Sequence, residues 1–393
     1  MVDGVFSRLV CSFPGEGAMP QFSNVPTRLP ELGPTEVLAR VEAVPLHGSF
    51  WMAVHPTLRH PRHRELVERG GFVFGNGGLA QVVRSGSMSG VFPGTWVAVH
   101  GHFPCSQPEC QACRVHGRFV ECRNGGSGIL GHGRGAPDGL LADLAVLPAG
   151  AFEPITPLGV HEAMSATLSF LVGDVRNALL RGTNPEEPPT SILILGAGLS
   201  GTLAAALASQ MWPQARVLVV DGREASLARL RRLPWVGTPP AAAHLHIDQA
   251  NPDPGRRALA VLLRAHIDGL PNLIFDTIDG AASAVWAAPE IVSHGTSCVC
   301  FGFHREAMNL SPAVLQCAGL RVFAPRGVGD LRNVKASVAW CLGAGRSFVA
   351  ALLSTFEQVQ SIEALANMLT DCGGRRPETD ILFRPAAPTG EAG

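Results

Sequence analysis

The chain has 393 residues, too long for one ordinary core, and its length predicts two domains of about 150–200 residues each. Hydrophobic residues make up 46%, and 31 Lys+Arg stand against 32 Asp+Glu for a formal net charge of -1, which leaves no electrostatic footprint for nucleic acid or anionic membrane. The N-terminus lacks a signal-peptide pattern and no apolar run approaches about 18 residues, so a soluble, cytoplasmic, membrane-free protein acting on a small-molecule substrate is expected.

Residues 35–44, TEVLARVEAV, alternate apolar and polar as a half-buried strand does, and GVFPGTWVAVHGH at 90–102 repeats the pattern after a Pro-Gly turn. The region up to about 155, rich in Gly and Pro, reads as a β-rich barrel. Within it FPCSQPECQACRVHGRFVEC gathers Cys105, Cys110, Cys113 and Cys122. Clustered thiols in a reducing compartment are metal ligands more often than disulfides. Cys11, Cys298, Cys300, Cys317, Cys341 and Cys372 are scattered and read as small core residues.

Apolar spacing over 158–181 predicts one long helix ending at Gly182, followed by the linker TNPEEPPT. Six short apolar runs follow: 191–195, 216–220, 244–247, 272–278, 296–303 and 320–324. With helical stretches between them they predict an α/β doubly wound parallel sheet. The remainder, 326–393, holds one helical stretch over SFVAALLSTFEQVQSIEALANMLTDCGG and a last strand in DILFRP.

SILILGAGLSGTLAAALASQ places Gly196, Gly198 and Gly201 as G-x-G-x-x-G between a buried strand and an Ala-rich helix. The first glycine permits the turn, the second admits a pyrophosphate, and the third lets helix and sheet close up, with Leu199 and Ser200 at the phosphate-binding helix start. Twenty residues beyond Gly201, Asp221 ends the next strand, where its carboxylate can accept from both hydroxyls of an adenine ribose. Its charge repels a 2′-phosphate and favours NAD(H) over NADP(H), a preference tempered by nearby Arg223. The bland alternative is a sheet whose glycine loop only turns the chain.

A β-rich half with a four-Cys lobe, a central dinucleotide unit and a C-terminal return resembles the medium-chain dehydrogenase/reductase superfamily, the zinc-type alcohol and polyol dehydrogenases. The likeness rests on residues 36–50, 74–99 and 137–155, the four cysteines and GAGLSG. It implies a GroES-like catalytic domain over 1–157 completed by 326–393, and a Rossmann NAD-binding domain over 158–325. The nicotinamide is expected between them, in a homodimer or homotetramer. The cysteines of that family bind one structural zinc per chain, usually as C-x2-C-x2-C-x7-C. Here the spacing is C-x4-C-x2-C-x8-C, which a tetrahedral thiolate site tolerates because the sulfurs set its geometry.

The catalytic zinc ligands of the family are altered. Its G-x-C-G-[ST]-D stretch corresponds to PLHGSF, with His47 at the Cys and Phe50 at the Asp; its G-H-E corresponds to Gly75-Asn76-Gly77. Glu162 matches the acidic residue of the E-P-L-A helix start, and Ser49 the Ser/Thr that relays a proton. An amide is a weak zinc ligand, and the chain has no Tyr to act as proton donor. The reading is a zinc-independent dehydrogenase or ketone reductase in which His47 exchanges the proton, Ser49 passes it on and Glu162 orients His47. His47 as a core histidine and Glu162 as a helix-start acid are the plain alternatives. A quinone or enoyl reductase, a redox-neutral NAD enzyme such as an epimerase or lyase, and a non-catalytic nucleotide-binding protein also remain open. The basic run RHPRHRE at 59–65 is either a surface loop or a contact for an anionic substrate group.

Overall fold

The computed structural model describes residues 5–14, 18–54, 71–105, 107–124, 128–131, 137–157, 159–246, 251–278, 287–302, 316, 318–324, 327, 329–373, 376–377 and 379–386. The basic run at 59–65 and Cys317 lie outside the described residues. The chain divides into two compact units, one formed by Met1–Gly173 with Val328–Gly393, the other by Asp174–Gly327.

The elements run in chain order as β1 (Val5–Ser12), β2 (Gln21–Arg28), β3 (Val37–Leu46), α1 (Gly48–Val54), β4 (Gly78–Ser85), β5 (Trp96–Val99), β6 (His102–Phe103), β7 (Gly128–Ile129), β8 (Leu144–Leu147), β9 (Phe152–Ile155) and α2 (Val160–Ser165). Next come α3 (Ser169–Gly182), β10 (Ser191–Leu195), α4 (Leu199–Met211), β11 (Arg216–Asp221), α5 (Glu224–Arg232), β12 (Ala241–His244), α6 (Pro252–Ile267), β13 (Leu273–Asp276), β14 (Ser297–Cys300) and β15 (Arg321–Phe323). The chain then forms α7 (Leu331–Leu342), α8 (Arg346–Leu353), β16 (Glu357–Val359), α9 (Ile362–Asp371) and β17 (Ile381–Phe383). Among the described residues no single helix is long and apolar enough to cross a membrane.

In the first unit a mostly antiparallel sheet runs β16-β17-β3-β4-β5-β9, with β8 also paired to β3. The alternation read in residues 35–44 becomes the central strand β3, and one apolar cluster that includes Val37, Val41, Leu46, Phe74 and Phe383 fills the space beneath. The chain leaves this sheet after β9 and returns to it with β16 and β17, the latter pairing with β3, where Ile381 faces Leu46 in antiparallel register.

His100 directly follows β5 in this unit, and its ring stacks at 6.4 Å on Phe119 of the cysteine lobe. It is 2% exposed, and neither ring nitrogen has a hydrogen-bond partner. Burial first, then the neighbouring His102, pull its pKa down to about 3. The unfolded chain takes up this proton below its ordinary value of about 6.5 and the folded chain does not, so stability present above that pH is lost as pH falls toward 3. We expect the His100→Leu chain to lose about 2 kcal/mol less stability than wild type between pH 7 and pH 5, as read from denaturant midpoints. Parallel losses in the two chains would contradict this.

The second unit is a six-stranded, all-parallel sheet in the order β12-β11-β10-β13-β14-β15. Its central strands are buried along their whole length because helices cover both faces. The doubly wound α/β fold expected from the six runs is therefore present. One strand is displaced: the third run was expected at 244–247, and β12 instead occupies Ala241–His244, starting directly after Pro239-Pro240 and pairing with β11 from Ala241 opposite Leu218 to His244 opposite Asp221. Of the scattered cysteines, Cys11, Cys298, Cys300 and Cys341 are buried as small core residues, whereas Cys372, just past the end of α9, is only half-buried.

Two helix expectations are also corrected. The long helix over 158–181 is broken by a 3-10 turn, Ala166–Leu168, whose three residues are all buried and pack against β3, β4 and β5. Three successive residues cannot all face the sheet from a regular α-helix, so the backbone tightens there. The C-terminal helical stretch is split as well. Glu357–Val359 leaves the helix to pair with β17, and Ser361 restarts it by accepting from the Ala364 amide at 3.1 Å.

Candidate functional site

The four cysteines lie in a lobe of short turns. Cys110 precedes the helical turn Gln111–Val115, Cys113 sits inside it, and Cys122 closes the turn Phe119–Glu121. These turns bring all four Sγ atoms within 4.8 Å of one another, with Cys110 and Cys122 at 3.8 Å. A tetrahedron with Zn–S bonds of about 2.3 Å has S···S edges of about 3.8 Å, so the donor set fits a closed zinc site of four thiolates. Burial pushes the Cys113 thiol up to about 12, and only a cation would hold it ionised near neutrality. Asn124 Nδ2 approaches Cys105 Sγ at 3.8 Å, and Arg114 donates to the Cys105 carbonyl at 3.0 Å. Both donors steady the cysteine nearest β6. Among the described residues this is the one group of three or more His, Cys, Asp or Glu placed to hold a metal.

In the second unit β10 delivers the chain into a glycine turn. Gly196 has φ +97°, and its amide donates to the Val220 carbonyl at 2.7 Å. A Cβ on Gly201 would stand 1.8 Å from the Gly196 carbonyl oxygen, so the start of α4 is pressed onto the turn as only glycine allows. The first helical bond runs from Thr202 to Gly198 at 2.9 Å. The amides of Leu199, Ser200 and Gly201 therefore have no helical acceptor, which is the arrangement that receives a pyrophosphate.

Asp221, 6% exposed at the end of β11, reaches this turn. Its Oδ2 accepts from the Ala197 amide at 2.6 Å, and its Oδ1 accepts from the Arg223 amide at 2.7 Å and from Arg223 Nε at 3.3 Å. Three of about four lone-pair directions are thus taken within the protein. A two-handed grip on a ribose requires the Arg223 side chain, 52% exposed, to swing off Oδ1.

In the first unit His47 stands between the end of β3 and the start of α1 and is 8% exposed. Its Nε2 lies 3.1 Å from Asn76 Oδ1, so the positions matched to the first two family ligands meet as a side-chain pair. Phe170, the second residue of α3, tilts over the imidazole with ring centres 5.1 Å apart. A Cβ on Gly77 would lie 2.2 Å from the Phe170 ring, so Gly77 makes room for it. The space beside this pair is about 10 Å³, walled by Phe50, Phe74 and Leu141 among others and large enough for one water.

Glu162 on α2 is ion-paired with Arg346 at 3.1 Å at the start of α8, so the acid proposed to orient His47 has its carboxylate on an arginine. Ser49 lies in α1, but its side chain is outside the described residues. The contact of Phe170 with His47 was not foreseen. Sequence offered one indirect signal for it, the run of glycines around Asn76, which leaves room for a large neighbour.

Residues 33–157 match the alcohol dehydrogenase GroES-like domain. No curated protein sequence matches the chain at a significant level. Among solved structures, the alcohol dehydrogenase TADH from Thermus sp. ATN1 is similar with a TM-score of 0.73 and 20% identity over 97% of this chain and 100% of its own. The alcohol dehydrogenase from Aeropyrum pernix gives 0.74 and 15% over 97% and 100%. An alcohol dehydrogenase from Escherichia coli CFT073, solved with NADH, gives 0.70 and 18% over 97% and 99%. Residues 33–157 are therefore an alcohol dehydrogenase GroES-like domain, and the chain as a whole shares the fold of these alcohol dehydrogenases.

Proposed function

We propose that the chain is an NAD(H)-dependent oxidoreductase that exchanges hydride between nicotinamide and a secondary alcohol or ketone, with His47 moving the proton and no catalytic zinc. The observation that carries the reading is the glycine cradle closed by Asp221, whose Oδ2 holds the Ala197 amide at 2.6 Å. A dinucleotide bound there would supply the hydride acceptor or donor. The cradle amides of Leu199, Ser200 and Gly201 would face its phosphates, and Asp221 its ribose. The carboxylate would disfavour a 2′-phosphate, and Arg223 would soften that preference.

The residues at the altered metal position do not fit a catalytic zinc. His47 Nε2 is turned to an amide oxygen, the amide is a weak donor, and an aromatic ring covers the imidazole. That leaves the imidazole to take or give the substrate proton. The cysteine lobe would hold one structural zinc with no open position, so it would act as a staple. A homodimer or homotetramer is part of this proposal.

The test is in two parts. NADH should quench or shift fluorescence on titration with wild type, and Asp221→Asn should weaken it by about 30- to 100-fold, the value of losing a charge-assisted contact of about 2–3 kcal/mol. NAD-linked turnover on a panel of secondary alcohols and ketones should then fall at least about 100-fold in His47→Ala. A second reading, a nucleotide-binding protein without turnover, is favoured by how little room stands beside His47. NADH binding with no turnover on any member of the panel would select it.

A further inference from the structure

We propose that the second unit carries a further binding site, for a small organic carboxylate with an apolar body, in the cleft at the amino end of β12, with Arg231 holding the carboxylate. This site is independent of any nucleotide at the glycine turn.

The cleft has a volume of about 340 Å³ and is lined by the last residues of α5, the loop after it and the start of β12. That volume lies at the lower end of the range for small-molecule sites. Its position sets it apart from the glycine turn. β12 runs from Ala241, opposite Leu218, to His244, opposite Asp221. The wall at Ala242 is therefore two residues, about 7 Å, short of the strand end that meets Asp221, and the lining loop enters from the opposite end.

The walls are formed in advance. Leu230 and Leu233 are buried, and Trp235 Nε1 donates to the Leu230 carbonyl at 3.2 Å, which fixes the indole against the end of α5. Gly237 turns the loop with φ +102°, and Pro239 and Pro240 stiffen it just before β12. Little is left to be ordered when a ligand enters.

Arg231 is the one charged residue of the lining. It reaches back two turns along α5, where one Nη donates to Glu224 Oε1 at 2.6 Å, and its other Nη donates to the Ala242 carbonyl at 3.2 Å. Two of its five N–H groups are thus used among the described residues, which leaves three. The bond to Ala242 ties the guanidinium to the cleft wall, and the bond to Glu224 shows a carboxylate already seated on it. Both members of this ion pair are about half-exposed, a setting in which such pairs are weak, so an incoming carboxylate can share the guanidinium or displace Glu224. Exposed Arg232 beside it adds positive charge. Arginines in a last turn also suit the helix dipole, but that role requires neither a cleft nor an apolar floor. Charge and floor together call for one kind of molecule, with its carboxylate at Arg231 and its hydrocarbon on Leu230, Leu233, Pro239 and Pro240.

The probe is octanoate, read on the indole 15N–1H signals of the full-length chain labelled with 15N-tryptophan. The chain has six tryptophans, and Trp235 is assigned by the signal lost in Trp235→Phe. Its signal should shift saturably, with half-saturation at about 5 mM or below. Octanamide, which has the same shape without the charge, should bind at least about tenfold more weakly, and Arg231→Gln should weaken octanoate by a similar factor. Glu224→Gln removes the competing carboxylate and should tighten octanoate about threefold, and it keeps the test decisive if Arg231→Gln does not fold. No saturation by about 30 mM, equal binding of octanamide, or unchanged affinity in either variant would overturn the site. Displacement of octanoate by NADH would overturn it as well, because it would place the carboxylate at the glycine turn.

Discussion

Gly201→Val is expected to remove the NADH binding proposed for the glycine turn. A Cβ at this position falls 1.8 Å from the Gly196 carbonyl oxygen, where real contacts are not found below 3.0 Å, and the atom in its way is backbone. Relief would require α4 to move away from the turn by more than about 1 Å. The helix is hemmed in: Leu199, Gly201, Leu203, Ala204, Leu207 and Ala208 are all buried, so its displacement would open voids on several sides. The phosphate-facing amides would move with it. A shift of that size costs contacts that the ligand cannot replace, and we expect the NADH dissociation constant to rise at least about 100-fold, close to 3 kcal/mol. Calorimetric titration at equal protein concentration reads it directly. Binding within about threefold of wild type would show that this loop does not hold the dinucleotide.

Cys110→Ser is expected to abolish the zinc binding proposed for the cysteine cluster. Elemental mass spectrometry should find one zinc per chain in wild type and less than about a tenth of that in the variant, because a serine hydroxyl is a poor substitute for a thiolate. The lobe has little else to hold it. Its core is the cysteines themselves with Phe119, helped by Ala112 and Leu331, and the turns that carry the ligands are only three to five residues long. A metal bound there would therefore supply folding energy for this segment. We expect residues 105–122 to become protease-sensitive in Cys110→Ser, and the melting temperature to drop by about 5–10 °C. Two zincs in wild type would mean that a second metal is bound outside the cysteine lobe, and the reading of His47 as a metal-free base would fall.

What could be read from the sequence was what neighbouring residues decide among themselves. The buried run SILIL, the glycines at 196, 198 and 201, and Asp221 at the next strand end are separated by a single turn and helix, and together they specify the glycine turn that Asp221 closes at the ends of β10 and β11. The four cysteines fall within twenty residues and their sulfurs do converge. Distant partners were not legible. The His47–Asn76 pair spans 29 residues and the Glu162–Arg346 pair 184. The periodicity of residues 158–181 correctly signalled buried helix, but burial of Ala166, Thr167 and Leu168 together is imposed by the strands they meet, which no local pattern encodes. In the same way Glu357–Val359 has a helical neighbourhood and becomes a strand because β17 is there to pair with it.

The pairing of Ile381 with Leu46 has a consequence for how the molecule is made. During vectorial synthesis β3 emerges first, and the strand that completes its edge is translated only after the whole of the intervening parallel-sheet unit. The nascent first half must wait with an open hydrogen-bonding edge, a state prone to mispairing. The intervening unit closes on contacts within its own span, Asp174–Gly327, and can mature while the earlier half is still unfinished. Refolding from denaturant is therefore expected in two phases, with the parallel sheet regained first.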